Sequence, residues 1–182
     1  MSEVDVFQVA PELGIPEVRP AIESIRGRWE RKVSPKTRHA ILQARLSGWL
    51  TLWARDRGEV GTEWRFYMLP EGDKPSSLVP DVAYVSSERM PPRVGELREK
   101  PTIAPDIAVE VLSPFDRRSS LREKISIYFE QGCRLVVVAD PDSRTVAMRE
   151  RDGESVFREG ETAMSSSYPD LRLDVAALFK SI

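Results

Sequence analysis

Two short β-rich segments, each entered through a Pro-Asp pair, constrain the fold of this chain more than any other feature. They are 78–85, with the sequence Leu-Val-Pro-Asp-Val-Ala-Tyr-Val, and 103–112, with the sequence Ile-Ala-Pro-Asp-Ile-Ala-Val-Glu-Val-Leu. Proline is tolerated where a strand begins, whereas inside a strand it removes a ladder hydrogen bond. The second segment is apolar on both faces apart from its acids, which is typical of a strand in the centre of a sheet. We therefore expect two strands, the second of them fully buried.

The remaining periodicity predicts helices packed on a sheet. Apolar side chains at helical offsets predict an amphipathic helix over Thr37–Arg55. A second helix is predicted from about Ser120 to Gln131, because Ser120 and Glu123 form a capping-box pattern and Gly132 supplies a C-terminal stop. Further strands are predicted at 64–69, 134–139, 145–150 and 155–158, the last two as a hairpin, with a closing apolar segment near 171–179. This order of elements predicts an α/β (α+β) protein with a mixed β-sheet core flanked by helices.

Length and composition predict one domain and exclude several classes of protein. The chain has 182 residues, of which one is cysteine and one is histidine, so a disulfide framework and a four-ligand structural zinc site are both excluded. Three prolines among the first twenty residues predict an irregular or loosely attached N-terminal arm over 1–20, followed by a single domain over 21–182. No apolar run approaches membrane-spanning length and no signal pattern opens the chain, so a cytoplasmic protein without membrane contact is expected.

The net charge of the chain does not indicate a nucleic-acid-binding protein. The net charge is −2, which lacks the strongly basic footprint of a protein held to nucleic acid mainly by phosphate contacts. DNA binding therefore has to be argued from a site.

Acidic side chains on the second β-rich segment suggest such a site. Side chains alternate between faces along a strand, so Asp106 and Glu110 share one face but lie about 13 Å apart, too far to bind one metal ion. Glu110 stands deep in an apolar strand, where an unpaired carboxylate is costly unless a cation or hydrogen bonds hold it. Asp81, at the entrance of the first segment, is the natural candidate to lie near Glu110.

Helical phase places a lysine on the inward face of the second predicted helix. At about 100° per residue, Lys124 falls inside the apolar arc, between Ile127 and Tyr128. A lysine that points toward the sheet needs an anionic partner, and Glu110 lies on the strand that feeds this helix. Two acids and an inward lysine are what metal-assisted phosphodiester hydrolysis requires: the carboxylates hold Mg²⁺, and the lysine orients the attacking water or stabilises developing charge.

A purely structural interpretation remains open at this point. Pro-Asp pairs occur four times, and those that contain Asp142 and Asp170 look like turns. A buried pair between Glu110 and Lys124 is also compatible with a structural role alone.

Taken together, the motifs resemble the Uma-two family of endonucleases, which belongs to the PD-(D/E)XK, restriction-endonuclease-like superfamily. The resemblance rests on 79–85, on 104–114 with the sequence Ala-Pro-Asp-Ile-Ala-Val-Glu-Val-Leu-Ser-Pro, on Lys124 with Tyr128, and on 136–141. It implies a restriction-endonuclease-like fold, with Asp81 and Glu110 as ligands of Mg²⁺ or Mn²⁺ and Lys124 as the catalytic amine. DNA is the implied substrate, and a homodimer is expected because cutting two strands usually takes two sites.

The sequence departs from the superfamily pattern at two places. Leu112 stands two positions after Glu110, where the superfamily has its lysine, and Lys124 would supply that amine from the following helix. The usual acid of the first helix is replaced by His39 and Gln43, and Glu23 lies only upstream. His39 is equally compatible with a helix-end or core histidine.

Two other functions remain as alternatives. The first is a non-catalytic module that keeps the nuclease scaffold to bind nucleic acid or a protein partner. The second is a different hydrolase, but no nucleophile elbow, P-loop or dinucleotide fingerprint is present, and Cys133 fits a core position better than that of a nucleophile. Arg117, Arg118 and Arg122 would supply phosphate contacts in a nuclease and would otherwise form a solvated helix start.

Overall fold

The computed structural model describes residues 6–10, 15–18, 22–32, 36–69, 72–90, 101–113 and 118–182. The helices are α1 (Thr37–Trp53), α2 (Arg118–Glu130) and α3 (Val175–Phe179). The first eight strands are β1 (Val6–Ala10), β2 (Ile15–Val18), β3 (Ile22–Ile25), β4 (Arg28–Arg31), β5 (Gly58–Thr62), β6 (Phe66–Met68), β7 (Ser76–Leu78) and β8 (Val82–Ser86). The others are β9 (Ile107–Val111), β10 (Leu135–Asp140), β11 (Thr145–Glu150), β12 (Gly153–Arg158), β13 (Thr162–Met164) and β14 (Arg172–Asp174).

A six-stranded mixed sheet forms the centre, in the order β12-β11-β10-β9-β8-β5. Strands β9 and β10 are parallel, and every other neighbouring pair is antiparallel. Parallel neighbours need a crossover connection, which here contains α2. The sheet and its helices confirm the predicted mixed α+β fold, and the crossover brings α2 back over the strand from which the chain left.

The two faces of this sheet bury different helices. Ile107, Val109 and Val111 pack into one core cluster with α1 and α3. Ala108 lies in the other cluster, with α2 and with apolar side chains of the small sheet described next. The predicted alternation along β9 is therefore confirmed, and its even-numbered side chains face α2.

A four-stranded antiparallel sheet, in the order β4-β3-β7-β6, packs on the α2 side of the molecule. The first β-rich segment, 78–85, enters the central sheet directly after its Pro-Asp pair, as predicted, because β8 begins at Val82, whereas Leu78 ends β7 of the small sheet. Pro80 lies between the two strands and has no N–H to donate to a ladder, so the proline marks the change of sheet. Asp81 consequently stands at the point where the two sheets meet.

Two stretches of the predicted N-terminal arm, 6–10 and 15–18, are among the described residues and form strands. Strands β1 and β2 pair antiparallel, with Val6 opposite Val18. The division into an arm over 1–20 and a domain over 21–182 remains a prediction. The charged connection predicted between 86 and 100 lies outside the described residues from 91 onward. Within the described part of the chain, no helix is both long and apolar enough to cross a membrane.

Candidate functional site

Asp81 and Glu110 lie on neighbouring strands of the central sheet. Val82 is paired with Val109 across the antiparallel β8–β9 ladder, so the register continued by one residue places Asp81 opposite Glu110. Directly opposite side chains in such a pair have Cβ atoms about 5 Å apart. Both carboxylates line a cavity of about 350 Å³, which Lys124 also lines. The three residues selected from the sequence are therefore brought together.

Asp81 is held through both of its carboxylate oxygens. Oδ2 accepts the backbone N–H of Val111 at 2.6 Å and lies 3.2 Å from Nε2 of His39. Oδ1 lies 2.9 Å from the Lys32 ammonium, but the approach does not have hydrogen-bond geometry. Gln43 donates to the backbone carbonyl of Asp81 at 3.0 Å. The side chain thus has one firmly fixed oxygen and one held by charge alone.

Glu110 forms a buried network with two residues of α2. Its Oε2 accepts a hydrogen bond from Lys124 Nζ at 2.8 Å, and its Oε1 accepts one from the Tyr128 hydroxyl at 2.9 Å. All three side chains are more than nine-tenths buried. Lys124 and Tyr128 are one helical turn apart, so they present their polar groups from one face of the helix. The inward orientation predicted for Lys124 is confirmed.

The second carboxylate on Lys124 comes from the small sheet. Glu23, on β3, lies 3.0 Å from Lys124 Nζ through Oε1, which also accepts the backbone N–H of Val79 at 2.7 Å. One ammonium is therefore shared by two buried acids. Because the two acids carry more charge than the lysine neutralises, the cluster has an excess negative charge before Asp81 is counted.

The electrostatics of the site follow from burial and these pairs. Burial raises the pKa of Glu110 to about 7, although the Lys124 charge opposes the shift. Burial acts in the same direction on Asp81, but the His39 contact and the Lys32 charge outweigh it and hold the pKa of Asp81 well below its ordinary value. For Lys124, burial alone would lower the pKa, and the carboxylates of Glu110 and Glu23 raise it above the ordinary value. At neutral pH the site therefore contains an ionised aspartate, a charged lysine and a glutamate near its titration point.

The donor set fits a hard divalent cation. Among the described residues, no group of three or more His, Cys, Asp or Glu side chains is spaced to hold a metal ion. Mg²⁺ does not need such a cage, because it is usually bound through one or two carboxylates and retains several waters. Asp81 Oδ1, buried and without a hydrogen bond, is an oxygen suited to such an ion. Asp81 and Glu110 are the residues that would hold it.

Residues outside the cavity have the structural roles that the sequence left open. Asp106 accepts hydrogen bonds from the Ser86 backbone and from Arg89, at 2.8 and 2.9 Å, and is not part of the cavity lining. Cys133 is buried, and burial raises the pKa of its thiol to about 12, which suits a core residue. The Pro-Asp pairs at Asp142 and Asp170 are turns, as predicted. Arg117 lies outside the described residues.

Sequence reasoning missed one lysine and undervalued one glutamate. Lys32 lies beyond the end of β4 and reaches Asp81 over a sequence separation of 49 residues, without any periodic signal around it. Glu23, which the sequence places only upstream of the first helix, lies 3.0 Å from Lys124 and lines the same cavity. Alternation along β3 and β4 could have assigned a face to each residue. It could not have shown which sheet would pack against α2.

Comparisons with known proteins agree with this fold. The profile of the Uma2 family, described as "Putative restriction endonuclease", matches residues 12–176. A solved structure described as "a putative nuclease belonging to DUF820", from Anabaena variabilis, is 27% identical and superimposes with a TM-score of 0.81. The alignment covers 95% of this chain and 97% of that one. No curated protein matches the chain significantly.

Proposed function

The chain belongs to the Uma2 family of restriction-endonuclease-like nucleases, and we propose that it is a metal-dependent DNA endonuclease that hydrolyses phosphodiester bonds. In this proposal Asp81 and Glu110 hold Mg²⁺ or Mn²⁺, and Lys124 orients the attacking water or stabilises developing charge. The observation that carries the proposal is the buried pair between Lys124 and Glu110, 2.8 Å apart, in a cavity that Asp81 also lines.

Each residue has a chemical task that its surroundings support. When bound, the cation would polarise the phosphate and lower the pKa of a coordinated water. Asp81 offers Oδ1 while His39 and Val111 keep the carboxylate from rotating. Lys124 carries a full positive charge, because its pKa is raised, and it lies beside the cavity where negative charge on the phosphate would increase. Hydrolysis adds water across one P–O bond, and the departing oxygen receives a proton from solvent.

Cationic side chains at the start of α2 support an anionic substrate. Arg118 and Arg122 are exposed on the helix that also carries Lys124. Two residues of the same first turns, Ser120 and Leu121, line the cavity. DNA phosphates flanking the one in the cavity would therefore meet positive charge. A cytoplasmic location and a homodimer that cuts both strands complete the proposal.

A second candidate function is a nucleic-acid-binding module without catalysis. One observation favours it: Asp81, Glu110 and Glu23 each already have a lysine partner, and no preformed cluster of metal ligands occurs among the described residues. If the ion pairs hold the scaffold together, the cavity can bind phosphate without cleaving it. Such a module would bind DNA equally well with and without Mg²⁺.

Cleavage of supercoiled plasmid and of single-stranded DNA, with Mg²⁺ or Mn²⁺, tests the two candidates. The variants are Asp81→Asn, Glu110→Gln and Lys124→Met, with Asp106→Asn as the matched control, since Asp106 is equally buried but lies outside the cavity. We expect metal-dependent nicking by the wild type and by Asp106→Asn, and loss of nicking in the other three. Binding without cleavage, unaffected by metal, would instead support the binding module.

A further inference from the structure

Lys32 is a second lysine of the cavity, largely but not fully buried, in a position that the nuclease pattern does not require. It follows β4 at the edge of the small sheet, and its side chain is only 14% exposed. It lines the same cavity as Asp81 and Glu110. Burying an ammonium is costly unless its charge is compensated, so the partners of Lys32 show what holds it there.

Three oxygens surround the Lys32 ammonium. It lies 2.8 Å from Glu63 Oε2 and 2.9 Å from Asp81 Oδ1, and it donates to the backbone carbonyl of Val79 at 2.8 Å. Burial alone would lower the pKa of Lys32, but the charges of Asp81, Glu110 and Glu63 raise it above the ordinary value. Lys32 is therefore a cation, and its bond to Val79 and its pair with Glu63 do not depend on Asp81.

Of the three contacts that Lys32 makes, the one with Asp81 is the contact that a divalent cation can replace. Oδ2 of that carboxylate is fixed by His39 and by the Val111 backbone, whereas Oδ1 has no hydrogen bond and meets Lys32 through charge only. A divalent cation at the same oxygen has twice the Coulomb attraction of an ammonium at equal distance. The ammonium and the divalent cation therefore compete for one oxygen.

We propose that Lys32 is a resident counter-ion of Asp81, displaced from Oδ1 by the divalent cation, and that its released ammonium binds the anionic substrate in the cavity. This inference rests on the proposed metal-dependent nuclease function and adds a second cationic residue to it. Before the cation arrives, Lys32 neutralises an aspartate that would otherwise be buried without a partner on Oδ1. After exchange it remains tethered to Glu63 at the cavity wall, where a phosphate would meet it.

The inference predicts opposite effects on metal binding and on cleavage. In Lys32→Met, the apparent Kd for Mn²⁺, measured by calorimetry without DNA, is expected to fall by about tenfold, because no ammonium then competes with the ion for Oδ1 of Asp81. Cleavage at saturating Mn²⁺ is expected to weaken, mainly through a higher KM. Lys32→Arg, which keeps the charge, should restore the wild-type Kd and most of the cleavage.

Arg31→Met is the matched control, because it removes the same charge from the neighbouring residue, whose side chain is exposed and lines the same cavity. Its Mn²⁺ affinity should change far less than that of Lys32→Met. Circular dichroism and thermal unfolding establish that each variant is folded. Should Lys32→Met fail to fold, Lys32→Gln keeps a donor for the Val79 carbonyl and carries the same expectation.

The outcomes separate this inference from the proposed function. Tighter Mn²⁺ binding in Lys32→Met without cleavage by any variant would support the exchange and refute the nuclease. Metal-dependent cleavage together with weaker or unchanged Mn²⁺ binding in folded Lys32→Met would support the nuclease and overturn the exchange. Absence of Mn²⁺ binding in both wild type and Lys32→Met would overturn the exchange as well.

Discussion

The ammonium of Lys124 lies 2.8 Å from Oε2 of Glu110, and the two residues, fourteen positions apart, belong to a helix and to the strand on which that helix packs. Both side chains are almost completely buried. A buried ion pair contributes little net stability compared with apolar residues of the same volume, whereas removing one partner is strongly destabilising. Replacing either residue alone should therefore destabilise the fold, whether or not the site is catalytic.

Replacing Lys124 with methionine tests how much of the fold depends on this pair. The substitution leaves Glu23 and Glu110 facing each other without a cation, so the free energy of unfolding should fall by about 3–5 kcal/mol. Urea denaturation measures the change. Adding Glu110→Gln to Lys124→Met should recover part of the loss, because one of the two unpaired charges is removed. Arg122→Met, on the exposed face of the same helix, should change stability by less than about 0.5 kcal/mol. Equal losses in the Lys124 and Arg122 variants would contradict the pairing.

The raised pKa of Glu110 predicts a pH dependence of stability. Its ordinary value is 4.5 and burial raises it to about 7, so the native state binds the proton more tightly than the unfolded state. The contribution of Glu110 is therefore fully present below about pH 4.5 and is lost as the pH rises through about 7. Unfolding free energies measured across this range should fall more steeply with pH for the wild type than for Glu110→Gln. Parallel curves for the two proteins would show that Glu110 titrates normally.

His39 should matter for stability through its contact with Asp81. In His39→Phe the aspartate loses the donor that lies 3.2 Å from Oδ2. Leaving a buried carboxylate short of a partner costs about 1–3 kcal/mol, and His39→Gln should lose less because its amide can still donate. Thermal unfolding of both variants measures the difference. Arg38→Ala, at the neighbouring exposed position, serves as the control and should behave like the wild type. If glutamine is as harmful as phenylalanine, the donor is not what His39 contributes.

Cys133 should behave as an inert core thiol. Because burial raises its pKa to about 12, the thiolate is absent at neutral pH, and the side chain is nearly inaccessible. A thiol reagent should therefore label the folded protein far more slowly than the protein in urea. Cys133→Ala should keep the cleavage activity of the wild type. Rapid labelling under native conditions, or loss of cleavage in this variant, would favour a thiol-dependent hydrolase.

Much of the central sheet and half of the site could be predicted from local sequence patterns. Alternation along 103–112 assigned each side chain of β9 to its face, and helical phase brought Lys124 toward Glu110. These predictions succeed because periods of two and of 3.6 residues are local properties of the chain. Strand β9 and helix α2 are expected to lie close together because only a short segment of chain connects them.

The rest of the site depends on how two sheets pack, which no local period encodes. Glu23 reaches Lys124 over a separation of 101 residues, and Lys32 reaches Asp81 from the position that follows β4 of the same small sheet. Within 78–85 the Pro-Asp pair predicted where β8 begins, but no local pattern showed that Leu78 pairs in the small sheet. Only the missing N–H of Pro80 distinguished the end of one strand from the start of another.

The hairpin of β11 and β12 lies at the far edge of the central sheet, three strands away from β8, and every residue assigned here to the cavity precedes β10. Its connecting turn, at Arg151 and Asp152, is exposed. This turn is accordingly a point where the chain can accept a fluorescent label, a fused domain or new termini, since exposed turns tolerate insertion best. The protein thus offers an attachment site by which it can be followed or immobilised while its cavity remains open.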